Sequence, residues 1–126
     1  MAASQLIKQE IKRSGSTIVY WLTGPEKAAL VVMTHGATID HRTWNPQIKA
    51  LAGKYRVMIW DVRGHGQSQP IGENFTIASA AEDLLAILDK LKVKQAVLIG
   101  QSMGGNIAQE LVFNHPDRVQ AMILLG

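Results

Sequence analysis

Gly100-Gln101-Ser102-Met103-Gly104-Gly105 sets one hydroxyl between glycines placed two residues to either side. The apolar run Gln95 to Ile99 precedes it and reads as a strand. A helix is expected from about Met103 to Phe113, ended by Asn114-His115-Pro116 because proline cannot continue it. A chain that turns this sharply from strand to helix forces the middle residue into a strained backbone conformation. A Cβ two residues to either side would clash in so tight a turn, which is what the glycines relieve. The serine Oγ is then pushed out at the C-terminal edge of the sheet, where open α/β sheets bind ligands. The N–H of Met103, at the start of the helix, points into the same space and can stabilise a developing oxyanion. Such a pair performs nucleophilic attack on a carbonyl, with Ser102 as the attacking group. A serine that only caps a helix needs no flanking glycines.

Two further segments end strands. His35-Gly36-Ala37 follows the apolar run Ala28 to Thr34, and adjacent strands would bring it beside Ser102. The Ala37 N–H is the candidate second oxyanion donor, with His35 as a loop anchor beneath it rather than a base. Asp61-Val62-Arg63-Gly64-His65-Gly66-Gln67-Ser68 ends the strand Tyr55 to Val62. A dinucleotide loop would need a third glycine where Gln69 stands, so Asp61, Arg63 and Ser68 are read as scaffolding that fixes a turn.

The elements that must position these groups alternate. Leu6 to Arg13 and Thr17 to Leu22 read as strands joined at Ser14-Gly15-Ser16, and a short helix is expected near Pro46 to Ala52. Ile77, Ala81, Leu84, Leu88 and Leu91 form one helical stripe. Ser79-Ala80-Ala81-Glu82 fits a capping box at its start, with Thr76 as a rival cap. Val119 to Leu125 is a last apolar strand. Continuous apolar runs imply strands buried on both faces. Strands alternating with helices predict an α/β fold with a mostly parallel sheet of about six strands and helices on both faces.

Composition is that of one globular unit, residues 1–126, with 47% apolar and 18% charged residues. The net charge of +3 comes from scattered Lys and Arg with no basic run, so no nucleic-acid partner is expected. There is no cysteine, which excludes disulfides and thiolate chemistry. No apolar run approaches a membrane span or a signal-peptide core, so no membrane association and a cytoplasmic location are expected.

The order His-Gly-x, Asp-x-Arg-Gly-His-Gly-x-Ser, Gly-x-Ser-Met-Gly-Gly resembles the α/β-hydrolase superfamily over essentially the whole chain. The branch it looks like holds esterases, enol-lactonases, C–C hydrolases and cofactor-free haloperoxidases. The resemblance implies Ser102 as nucleophile, the N–H groups of Ala37 and Met103 as oxyanion hole, and an ester- or lactone-like small-molecule substrate. His35, Trp44 and Gln101 would line the pocket, although Trp44 also suits an aromatic packed on the core at a helix start. No cofactor or metal is implied. Serine at the elbow argues against the carboxylate-nucleophile dehalogenases and epoxide hydrolases of similar fold.

In that family the triad runs Ser, then Asp or Glu, then His along the chain. The sequence stops after the strand that follows the nucleophile helix, so the acid and the histidine are expected outside it, on a second polypeptide carrying the C-terminal half of the fold. Of the local histidines, His65 lies in a turn, His115 at the far end of a helix, and His41 alone lies near the pocket. The competing expectations are a non-catalytic half-domain that binds or assembles with a partner chain, and an oligomer that pairs exposed strand edges.

Overall fold

In the computed structural model, which describes residues 5–126, β1 (Ile7–Arg13) and β2 (Ser16–Thr23) form an antiparallel hairpin. β3 (Leu30–Thr34), β4 (Arg56–Trp60), β5 (Ala96–Gln101) and β6 (Val119–Leu125) follow, with helices α1 (Asn45–Leu51), α2 (Ile77–Lys90) and α3 (Met103–Asn114) between them. The six strands form one sheet in the order β1-β2-β4-β3-β5-β6. β2 meets β4 antiparallel, whereas β4, β3, β5 and β6 run parallel. Their C-terminal ends therefore share one edge, and Thr34 stands in register with both Trp60 and Gly100. This register puts the loops after β3, β4 and β5 side by side. Among the described residues no helix is long and apolar enough to cross a membrane.

Each face of the sheet has its own core. Tyr20, Val32, Met58, Trp60 and Leu98 pack with Leu84 and Leu88 of α2 and Ile107 and Leu111 of α3. On the other face Val19, Trp21, Met33 and Ile59 pack with Trp44 and with Ile48 of α1. One short helix does not cover that second face. Val97, Ile99 and Gln101 of β5 stay half-buried, so β5 alternates where burial on both faces was expected. β6 is more open still, with Ile123, Leu124 and Leu125 each exposed by 44% or more. The two edges of the sheet also differ. β1 carries Lys8, Glu10 and Lys12, charges that blunt a free edge, while β6 has none.

Two local outcomes differ from expectation. Thr76 caps α2, and the capping box joins Thr76 to Ser79 rather than Ser79 to Glu82. The Ser79 N–H donates to Thr76 Oγ1 at 2.9 Å and the Thr76 N–H donates to Ser79 Oγ at 3.0 Å. Thr76 wins because its extended backbone (φ −139°, ψ 162°) starts the helix three residues earlier, which leaves Ser79 inside the first turn. The principal partner of Arg63 is a carboxylate. Its guanidinium forks onto the fully buried Asp83 at 2.9 and 3.0 Å, while Arg13 donates to the same carboxylate at 3.0 Å. Arg63 also donates to the Ser14 carbonyl at 2.7 Å, so one buried carboxylate ties the hairpin, α2 and the loop after β4 together.

Candidate active site

Ser102 sits between β5 and α3 at φ 53° and ψ −116°, a region that a residue with a Cβ occupies only under constraint. Its surroundings hold it there. The Ser102 N–H donates to the Leu125 carbonyl at 3.0 Å, and the Ser102 carbonyl accepts from Gly105 at 2.8 Å and Asn106 at 3.1 Å. The flanking glycines supply room. A Cβ on Gly100 would strike the Gly104 backbone, and one on Gly104 would strike the Thr34 carbonyl oxygen and lie 2.7 Å from that of His35. The helix therefore crosses the end of β3 backbone to backbone. The serine side chain is left exposed, and the N–H groups of Met103 and Gly104 lie in the first turn, where a helix offers no internal acceptor.

The loop after β3 passes directly beside this turn. A Cβ built on Gly36 would lie 3.5 Å from the Ser102 Cβ and 3.3 Å from the Gln101 carbonyl oxygen. His35 fixes the loop from below. Its Nε2 accepts from the Val62 N–H at 3.0 Å, which leaves Nδ1–H to donate to the Gly36 carbonyl at 2.7 Å. The Gly36 carbonyl and the Ala37 N–H belong to one planar trans peptide and point oppositely. Holding the carbonyl toward His35 thus turns the Ala37 N–H away from the core.

That hydrogen-bond pattern needs a neutral imidazole, and burial keeps His35 neutral by pushing its pKa below 6.5. The unfolded chain takes up a proton at this residue below about pH 6.5, where the folded chain resists it. Stability attributable to His35 is therefore intact above that pH and falls as the pH drops below it. Thermal unfolding between pH 8 and pH 5 should show a steeper loss for the parent chain than for His35→Gln, which cannot titrate. Parallel curves would remove this role from His35.

The remaining histidines are engaged elsewhere. His41 Nδ1 lies 2.9 Å from Asp61 Oδ1, and its ring stacks on Trp21 with centroids 3.6 Å apart. His65 Nδ1 is 3.1 Å from the Arg63 carbonyl, and His115 Nε2 is 3.0 Å from Glu82. Among the described residues, no histidine hydrogen-bonds Ser102. Asp61 and Ser68 anchor loops. Buried Asp61 accepts from the backbone N–H groups of His41 and Gln67, both at 2.8 Å, and Ser68 Oγ accepts from the Val19 N–H at 2.8 Å. Asp40, His41 and Asp61 bring possible metal-ligand atoms within 4.8 Å of one another. Arg42 grips Asp40, however, and Asp61 is committed to three donors, so these groups serve each other.

Two pocket-lining expectations are corrected. His35 is wholly buried and Trp44 is 3% exposed, so neither presents a surface to a ligand. Trp44 packs in the core beside Ile48, the alternative its position at a helix start allows. Gln101 ends β5 half-buried. The cleft that reaches Ser102 has a volume of about 360 Å³ and is lined by Gly105, Asn106, Gln109, Leu124 and Leu125. Sequence reading missed Asn106 and Gln109, although their spacing from Ser102 along a helix puts all three on one face.

Residues 29–126 match the alpha/beta hydrolase fold family. The chain belongs to that family. It is 45% identical over 93 residues to 3-oxoadipate enol-lactonase 1 of Acinetobacter baylyi, an alignment covering 74% of this α/β-hydrolase chain and 35% of the lactonase. Its fold superposes with a TM-score of 0.87 on Est816, described as an N-acyl homoserine lactone degrading enzyme, at 33% identity over 92% of this chain and 44% of that one. A hydrolase from Pseudomonas aeruginosa gives a TM-score of 0.87 at 31% identity, covering 97% and 46%. This α/β-hydrolase chain thus spans less than half the length of each of these proteins.

Proposed function

We propose that the chain carries the nucleophile and oxyanion hole of a serine hydrolase acting on a carboxylic ester, lactone or related carbonyl substrate. The strained, exposed backbone of Ser102 carries this reading, because constraint at φ 53° is retained where the surrounding structure has a use for it. Ser102 Oγ adds to the carbonyl carbon and passes its proton to a histidine. The oxyanion accepts from the N–H groups of Ala37 and Met103. Collapse of the intermediate expels the alcohol, which leaves with that proton, and water then releases the acyl group from Ser102 by the same route in reverse. The names of the lactonase and of Est816 support carbonyl substrates of the lactone class.

In this proposal the histidine and its carboxylate come from outside the described residues, in the remainder of the fold. Every described histidine already has another partner, and the unguarded apolar edge of β6 suits a further strand. The same histidine geometry favours a second reading, a non-catalytic half-domain that binds ligand without turnover.

A panel of p-nitrophenyl esters and simple lactones separates the two. The chain alone should hydrolyse none above background, because a serine hydroxyl without a base is a weak nucleophile. The chain completed by the remaining polypeptide should turn over at least one. Binding without turnover in the completed protein would favour the half-domain reading.

A further inference from the structure

A second cleft, of about 540 Å³, lies where β2 ends and β4 begins, with Ile7, Leu22, Pro25, Glu26, Gly53 and Arg56 on its walls. Arg56 stands at the N-terminal end of parallel β4, the opposite end from Trp60, which shares a register row with Thr34 and hence with Gly100. The cleft is therefore a full strand length from Ser102 and belongs to a different edge of the sheet.

Its floor is built from tightly fitted backbone. Gly24 adopts φ 95°, and a Cβ there would strike the Tyr55 carbonyl and come within 3.0 Å of that of Ala52. No residue with a side chain fits that contact, so the turn after β2 is clamped against the α1–β4 connection. The apolar wall is real as well, since Ile7 is half exposed along it.

The charge in this cleft sets it apart. Arg13 and Arg63 hold Asp83, Arg42 holds Asp40, and Arg118 holds Asp89. Half-buried Arg56 alone among the described arginines has no side-chain hydrogen-bond or ion-pair acceptor among the described residues. Glu26 shares the cleft and forms no ion pair with it. A cationic donor left without an acceptor beside an apolar wall defines a complementary ligand.

We propose that this cleft binds a small carboxylate with an aliphatic tail, the carboxylate on Arg56 and the tail along Ile7, Leu22 and Pro25. A planar guanidinium takes a carboxylate through two parallel hydrogen bonds. The volume suits a medium-length chain. The site does not depend on Ser102 or on any reaction there.

Octanoate titrated into the 126-residue chain, followed by amide chemical shifts and calorimetry, tests it. Saturable binding is expected in the millimolar range or tighter, with shifts at Ile7, Leu22, Gly24, Gly53 and Arg56. Arg56→Gln should weaken binding by about ten-fold or more, the loss of one charge-assisted pair. Glu26→Gln, at an exposed position, should tighten it by removing a like charge, and it serves as the test should the Arg56 variant fail to fold. Octanol should bind more weakly than octanoate. Absence of saturable binding, shifts confined to Ser102 and β6, or affinity unchanged in both variants would each overturn the proposal.

Discussion

Ser102→Ala, introduced into the hydrolase completed by the rest of its fold, lowers kcat/KM for a cleaved ester by on the order of 10⁵-fold. The size follows from the chemistry. On the proposed route no acyl-serine forms without Oγ, and only oxyanion stabilisation and substrate positioning remain, which are worth a residual 10³ to 10⁴ or so over water. The loss falls on kcat and leaves KM nearly unchanged, since the missing bond forms only on the way to the transition state. Stability changes little, because the constraint at φ 53° is on the backbone and alanine keeps the same Cβ. Steady-state kinetics and a thermal melt of both proteins check the two halves of this expectation. A variant that keeps its turnover within ten-fold would take the nucleophile role away from Ser102.

Gly104→Ala loses about 3 kcal/mol of folding stability or more. The added methyl meets the carbonyl oxygens of Thr34 and His35, which are backbone and cannot swing aside. α3 must lift from the end of β3, and Ser102 moves with it. Gly105→Ala is the control, because its Cβ would meet Leu124 Cδ2 at 3.4 Å, a flexible apolar contact. Replacing that helical glycine by alanine improves helix propensity by up to about 1 kcal/mol, so this variant stays as stable as the parent or gains slightly. Denaturant unfolding of the pair decides the matter. Equal stability of both variants would mean that the close crossing of α3 over β3 is not what holds the turn.

The turn was legible in the sequence because glycine spacing records a backbone constraint that is local. The strands and helices were legible within a residue or two for the same reason, since a period shows in the chain itself. What the sequence hid depends on distant partners. An apolar run says that a strand suits burial, and it does not say which helix covers it, so β5 reads as more buried than it is. Asp83 lies beside the apolar stripe of α2, while the arginines it holds are 20 and 70 residues away along the chain. Thr76 and Ser79 are both good helix caps, and only the extended backbone at Thr76 decides between them. His35 is legible as a loop anchor from its place before Gly36. Its tautomer follows only once Val62 is seen to donate to it.

The hydrogen bond from Ser102 N–H to the Leu125 carbonyl joins the proposed nucleophile to the end of β6, a border strand among the described residues. Strand ends at a sheet border open and close by local fluctuation more readily than the centre does. Each opening at β6 would break this hydrogen bond and give Ser102 slack. A strand laid against β6 would therefore also take up the play in Ser102.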